Sequence, residues 1–228
     1  MRYIGSKRKL GAGILPFINK GLEIFPNGKY IEPFVGGCNM ITQVEHHTRI
    51  GYDLNKHLIA LFKQAQTDPV KIRDARYISR RIFNQVKANM NMFEDWFVGA
   101  IGFFSTYCNK WMSSYYSQTN LYNGTMESLL KQDLKKIHLF HCDYRNIPIG
   151  KGNVIYCDPP YGHCNFYKMR FKHLEFCEWV RRASRDNIVF VSEYEMPADF
   201  QCIWQKTITP GINSKSYKRV EKLFVYKP

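Results

Sequence analysis

Short apolar runs alternate with longer stretches of helical spacing along this chain, and the alternation sets its first outline. Ile14, Leu15, Phe17, Ile18 and Leu22 fall on one helical face, which Ser6 is placed to cap, before the turn Pro26-Asn27-Gly28. Residues 29–32 then read as a first strand, 49–53 as a second, and Leu54, Leu58, Ile59, Leu61 and Phe62 as the helix that follows. Strand character returns at 137–142 and at 154–157, where Val-Ile-Tyr-Cys is short, apolar and β-rich. Leu174, Cys177 and Val180 mark another helix. Strands at 187–192, 202–208 and 222–227 complete the series, with the polar, basic stretch 210–219 between the last two. Strands separated by helical patterns predict an α/β fold with a mostly parallel sheet.

The stretch 66–136 breaks that rhythm. Asp68-Pro69 opens a basic helical segment to about Met92, an apolar helix spans 93–104, and a helix over 126–136 leads back to the sheet. Between them, 107–124 is rich in aromatic, amide and hydroxyl side chains. Such groups suit a surface that reads bases and phosphates, or a helical lid whose rings simply pack. The expected organisation is one α/β domain, residues 1–65 and 137–228, carrying an insertion at 66–136.

Composition narrows the class. A chain of 228 residues is long enough for a full core in one domain. No apolar run has the length of a membrane span and the first residues lack a signal-peptide core, so a soluble, cytoplasmic protein is expected. Its seven cysteines are dispersed without a Cys-x-x-Cys pair, which suits reduced thiols, and His141-Cys142 and His163-Cys164 have no metal-site spacing. The formal charge of +14 changes the picture more. Lys71, Arg73, Arg76, Arg80, Arg81 and Lys87 form one basic stretch and Lys206, Lys215, Lys218, Arg219 and Lys222 another, so a polyanionic partner is expected; the alternative is a solvated basic surface.

Candidate chemistry gathers at predicted strand ends, where open α/β sheets bind ligands. The strand at 154–157 stops at Asp158-Pro159-Pro160-Tyr161, because two prolines cannot donate to a sheet ladder. A carboxylate and a proline carbonyl there suit the two hydrogens of an exocyclic amine, and a tyrosine face suits the ring that carries it. After the first strand comes Pro33-Phe34-Val35-Gly36-Gly37-Cys38, whose glycines let backbone approach a ligand before an expected helix N-terminus. Asp53 ends the second strand. It is placed to accept from both hydroxyls of a ribose, or to cap the next helix, and the two roles are compatible.

Taken in order, these segments resemble the Dam family of adenine-N6 DNA methyltransferases across nearly the full chain. The carriers are Tyr3-Ile4-Gly5-Ser6-Lys7, Glu32-Pro33-Phe34-Val35-Gly36-Gly37, Tyr52-Asp53-Leu54-Asn55, Asp143-Tyr144 and Asp158–Tyr161. The resemblance implies a Rossmann-like S-adenosylmethionine-dependent sheet, mainly parallel with one antiparallel terminal strand and helices on both faces. The helical insertion 66–136 would recognise the target. It implies cofactor contacts from Tyr3, Lys7, Phe34, Gly36, Gly37, Asp53, Asp143, Tyr144 and Asp158, and catalysis at Asp158, Pro159, Pro160 and Tyr161 on a base flipped out of duplex DNA. No metal is implied. Cys38 departs from the family, which most often has glycine there, and cysteine disfavours positive φ. Neighbouring readings are a cytosine-N4 DNA enzyme, an RNA or protein amino-methyltransferase, and a DNA-binding protein that has kept the fold without turnover.

Overall fold

The structure is a computed structural model that describes residues 1–74, 78–116, 119–160, 171–208 and 219–227. Seven strands form one sheet: β1 (Tyr30–Glu32), β2 (Arg49–Asp53), β3 (Ile137–His141), β4 (Val154–Cys157), β5 (Ile188–Glu193), β6 (Phe200–Ile208) and β7 (Arg219–Tyr226), in the order β3-β2-β1-β4-β5-β7-β6. The pairs within β3-β2-β1-β4-β5 are parallel, and β7 runs antiparallel to both β5 and β6. This is the mainly parallel, Rossmann-like sheet with one antiparallel strand that the resemblance implies. From β1 the chain winds outward through β2 to β3, then crosses back to place β4 on the other side of β1. The order therefore reverses between β1 and β4, and the crevice at their carboxyl ends is where such sheets bind ligands.

Side-chain alternation explains the two layers. Tyr30, Val154, Tyr156, Phe190 and Leu223 point to one face, against α1 (Gly11–Ile24), α2 (Lys56–Thr67), α5 (Asp95–Phe104) and α6 (Thr119–Leu130). Ile31, Ile155, Cys157, Val189, Val191 and Phe224 point to the other, against α7 (His173–Ala183). Helices thus cover both faces. Among the described residues, none is long and apolar enough to cross a membrane.

Several local expectations are corrected. Ser6 does not cap α1; its hydroxyl accepts from the Arg8 amide at 3.3 Å, and α1 starts after a 3₁₀ turn over Arg8–Leu10 without a side-chain cap. The basic helical segment is two helices, α3 (Pro69–Asp74) and α4 (Arg80–Ala88). The helix expected over 126–136 instead occupies Thr119–Leu130, because Asn120 and Gly124, turn-formers on propensity, lie inside it.

Insertion helix α5 belongs to two cores. Trp96, Ala100, Phe103 and Phe104 enter the main core, while Val98 and Ile101 join Phe83, Val86 and Met112 in a smaller one. Gly99 permits the close crossing of α5 on α2, since a Cβ there would lie 2.2 Å from the His57 carbonyl oxygen. In the loop after α5, Trp111 stacks on His57 and contacts Phe103, and the Tyr115 hydroxyl donates to the Ile78 carbonyl at 2.9 Å. These rings pack inward. Tyr107, 60% exposed and edge-on to Tyr116, faces out, so the segment combines the two expected roles.

Candidate active site at the carboxyl ends of β1 and β4

The loop after β1 is held from three sides. Gly36 has φ +46° and its amide donates to Asp53 Oδ2 at 3.1 Å, tying the ends of β1 and β2 together. The Tyr3 ring lies on Gly36 and Gly37: a Cβ on Gly37 would be 2.7 Å from the Tyr3 Cβ and 2.5 Å from Asn39 Nδ2. From below, Gln132 Nε2 donates to the carbonyls of Gly37 at 3.0 Å and Cys38 at 3.1 Å. The helix expected after this loop is absent; a 3₁₀ turn over Ile41–Gln43 takes its place. Packing and side-chain hydrogen bonds, rather than a helix dipole, fix the loop.

Cys38 adopts φ +55°, the left-handed conformation that cysteine disfavours. Its side chain is fully buried in the main core, which compensates, and burial pushes the thiol pKa well up, leaving it inert. Asp53 is not the helix cap. That role is Asn55's, whose Oδ1 accepts from the His57 and Leu58 amides at 3.1 Å each. Asp53 Oδ1 accepts from the Asn55 amide at 2.9 Å, and burial raises its pKa against the pull of these two amides. Two N–H donors leave carboxylate lone pairs over for a ligand's hydroxyls.

Across the switch point, Asp158 follows β4 and projects to the same face as Tyr156. Lys7 Nζ reaches it at 3.0 Å, lies 3.6 Å from Glu221 Oε2 on β7 and donates to the Gly5 carbonyl at 3.2 Å. Only 4% of the Lys7 side chain is exposed. Burial works against its ammonium, but the Asp158 and Glu221 carboxylates outweigh burial and hold its pKa above the usual lysine value. The same sheet face carries Glu32, which accepts from the Tyr30 hydroxyl at 2.7 Å, and Ser192, 2.8 Å from the Tyr156 hydroxyl. Burial pushes the Glu32 pKa well above the carboxylate range. Every strand from β1 through β4 and β5 to β7 thus contributes one polar group to a row beneath the crevice.

On the opposite face, Glu193 ends β5, buried, with Oε1 accepting from the Tyr194 amide at 2.8 Å and Oε2 3.9 Å from His173 Nδ1. Burial lifts its pKa to about 7. Phe34, Tyr144, Phe171 and Phe176 form an aromatic wall with ring centroids 5.2–5.8 Å apart. Tyr144 is buried within it, its phenol pushed up to about 12, while Phe34 stays half-exposed. Asp143 is clamped by Arg145, with Nε donating to Oδ1 at 2.9 Å and Nη2 to Oδ2 at 2.6 Å; this holds its pKa down.

The crevice therefore assembles Tyr3, Lys7, Phe34, Gly36, Gly37, Asp53 and Asp158, with Pro159 buried and Pro160 half-buried behind the acid. Asp143 and Tyr144 stand at the end of β3, on the far side of β2 from β1. Tyr161 lies outside the described residues, as do Arg76, Lys215 and Lys218 of the basic stretches. Sequence reasoning missed Gln132, Glu193 and Glu221. Glu193 carries the strand-ending acid signal that pointed to Asp53; Gln132 and Glu221 carry none, because only the tertiary register brings them here. A cavity of about 600 Å³ opens at the opposite, amino ends of β1 and β4, between the turns at 24–29 and 148–153, and no acid or histidine lines it.

No curated protein matches the chain by sequence. Among solved structures, it resembles the rRNA methyltransferase AviRa of Streptomyces viridochromogenes at 12% identity and a TM-score of 0.45, over 98% of this chain and 86% of that one. A Haemophilus influenzae protein described as a methylase is similar at 11% identity and a TM-score of 0.37, over 97% and 88%. Likenesses this remote say nothing of substrate. A family model says more: residues 3–98, the segment that carries Tyr3, Lys7, the glycine loop and Asp53, match the D12 class N6 adenine-specific DNA methyltransferase family.

Proposed function

We propose that this protein transfers a methyl group from S-adenosylmethionine to the N6 amine of adenine in duplex DNA. The observation that carries the reading is Asp158: an acid at the carboxyl end of β4, at the switch point, followed by two prolines and held at 3.0 Å by a buried ammonium. The cofactor's residues would be Asp53 at its ribose, the Gly36-Gly37 backbone beneath it, Phe34 against its adenine, and Asp158 toward its methionine end. Asp143 and Tyr144 complete the resemblance's set. The fit rests on Asp53, whose oxygens are oriented by two amides and retain acceptor capacity toward the crevice. When bound, the cofactor supplies a methyl already activated on a sulfonium.

What the chain contributes is position and electrostatics. The target base leaves the duplex to reach the crevice. Asp158 and the Pro159 carbonyl each accept one amine hydrogen, which turns the nitrogen lone pair toward the methyl carbon. The cofactor held there would supply the methyl group and leave as S-adenosylhomocysteine, and the methylated amine would give its surplus proton to solvent. Tyr161 stacks on the extruded base. The insertion 66–136 serves target recognition, with Arg73, Arg80 and Arg81 exposed for phosphate contact, and the work is done where microbial or viral DNA lies, in the cytoplasm.

The test is methyl-labelled S-adenosylmethionine with unmethylated genomic DNA and, separately, RNA, followed by nucleoside analysis. Label in N6-methyladenine of DNA supports the reading. Label in N4-methylcytosine or in RNA alone contradicts it.

A further inference from the structure

Lys7 presents an electrostatic difficulty for the chemistry just proposed. Methyl transfer brings a cationic donor to the crevice and develops positive charge on the amine, so a net negative charge at Asp158 favours both. Yet a buried ammonium 3.0 Å from Asp158 makes that pair formally neutral. Stability does not account for the arrangement well, since a buried ion pair often contributes little against an apolar replacement.

The remaining charge comes from β7. Glu221 Oε2 lies 3.6 Å from the same Lys7 nitrogen, with 8% of its side chain exposed, and the Tyr194 hydroxyl donates to its other oxygen at 3.5 Å. Lys7, Asp158 and Glu221 together carry a formal charge of minus one. Glu32, buried on the same face, and Glu193, at the end of β5, are further acids close by. Burial raises the pKa of both, which favours their neutral forms and weakens what they add to that count.

Resting on the proposed function, we infer that Glu221 is a positioning residue for methyl transfer: it balances Lys7, so that Lys7 can fix Asp158 without cancelling the negative charge that a sulfonium donor and the reacting amine require. Glu221 touches neither substrate. It acts through the ammonium it shares with Asp158. The family match ends at residue 98, before the strand that carries it.

A charge count makes this testable without turnover. S-adenosylmethionine and S-adenosylhomocysteine differ by the methyl group and the positive charge on sulfur, so the ratio of their affinities reads the local charge. Measured by calorimetry at pH 6, Glu221→Gln should lower the preference for S-adenosylmethionine by about tenfold, the size expected for removing one unit charge about 12 Å away at an effective dielectric near 20. Lys7→Met should raise it. Lys7→Met combined with Glu221→Gln, again of formal charge minus one, should return close to wild type. A contact that merely tied the N-terminal segment to β7 would not make the two changes compensate.

An unchanged ratio in Glu221→Gln overturns the inference, as does a double variant no closer to wild type than Glu221→Gln. Should Glu221→Gln fail to fold, Lys7→Met still decides, because a preference that does not rise contradicts the count. The proposed function fails separately: wild type that shows the charge preference but methylates no DNA refutes that reading and leaves the role of Glu221 in donor binding supported.

Discussion

Ionising Glu193 should cost this fold stability, and the structure gives the size. Its side chain is almost fully buried at the end of β5, and burial lifts its pKa from 4.5 to about 7. The Tyr194 amide opposes that shift, Asp158 and Glu221 add to it, and Lys7 reduces it; His173 faces it from α7 at 3.9 Å. The folded protein therefore binds this proton more tightly than the unfolded chain does. The associated stability is fully present below about pH 4.5, is lost as pH rises toward 7, and is gone above it. At about 1.4 kcal/mol per pKa unit, the loss is on the order of 3 kcal/mol. Glu193→Gln keeps the shape and removes the ionisation. Denaturant unfolding at pH 5, 6, 7 and 8 should show the variant gaining on wild type as pH rises, by up to about 3 kcal/mol at pH 8. Parallel curves, or a variant that loses ground toward pH 8, would refute the reasoning.

The other predictions concern the loop and the basic surface. Gly37→Ala places a Cβ 2.7 Å from the Tyr3 Cβ and 2.5 Å from Asn39 Nδ2, so thermal unfolding should show destabilisation of about 1–3 kcal/mol and calorimetry a weaker cofactor. Gln132→Ala removes one donor from each of two loop carbonyls, leaving the Gly37 carbonyl to the Met1 ammonium and the Cys38 carbonyl to the Thr42 hydroxyl; cofactor affinity should fall while DNA affinity, measured separately, stays near wild type. Affinity for duplex DNA should drop steeply between low and moderate salt, and Arg80→Ala with Arg81→Ala should flatten that slope by about one to two phosphate contacts in a salt titration.

Fold and site differ in how far the chain reveals them. The strands were legible because period-2 burial and proline or glycine terminators write them locally: Val154–Cys157 is apolar on both faces and stops at Pro159. The Asp53 and Asp158 positions followed from the same rule, an acid at a strand's carboxyl end. What stayed hidden depends on distant register. Glu221 reaches Lys7 only because β7 inserts antiparallel beside β5, and nothing near Glu221 announces that. The helix after the glycine loop was expected from the usual βα pattern; here Tyr3 and Gln132, from opposite ends of the chain's first 132 residues, hold the loop instead. Asn120 and Gly124 hid the start of α6, since tertiary packing overrode their turn propensity.

The proposed catalysis turns on Asp158, and labelled methyl transfer to unmethylated duplex DNA by wild type and by Asp158→Ala, with circular dichroism to verify the fold, tests that role. Wild type should place label in N6-methyladenine, and the variant should place none while keeping a native spectrum. Near-wild-type transfer by a folded Asp158→Ala would contradict the account.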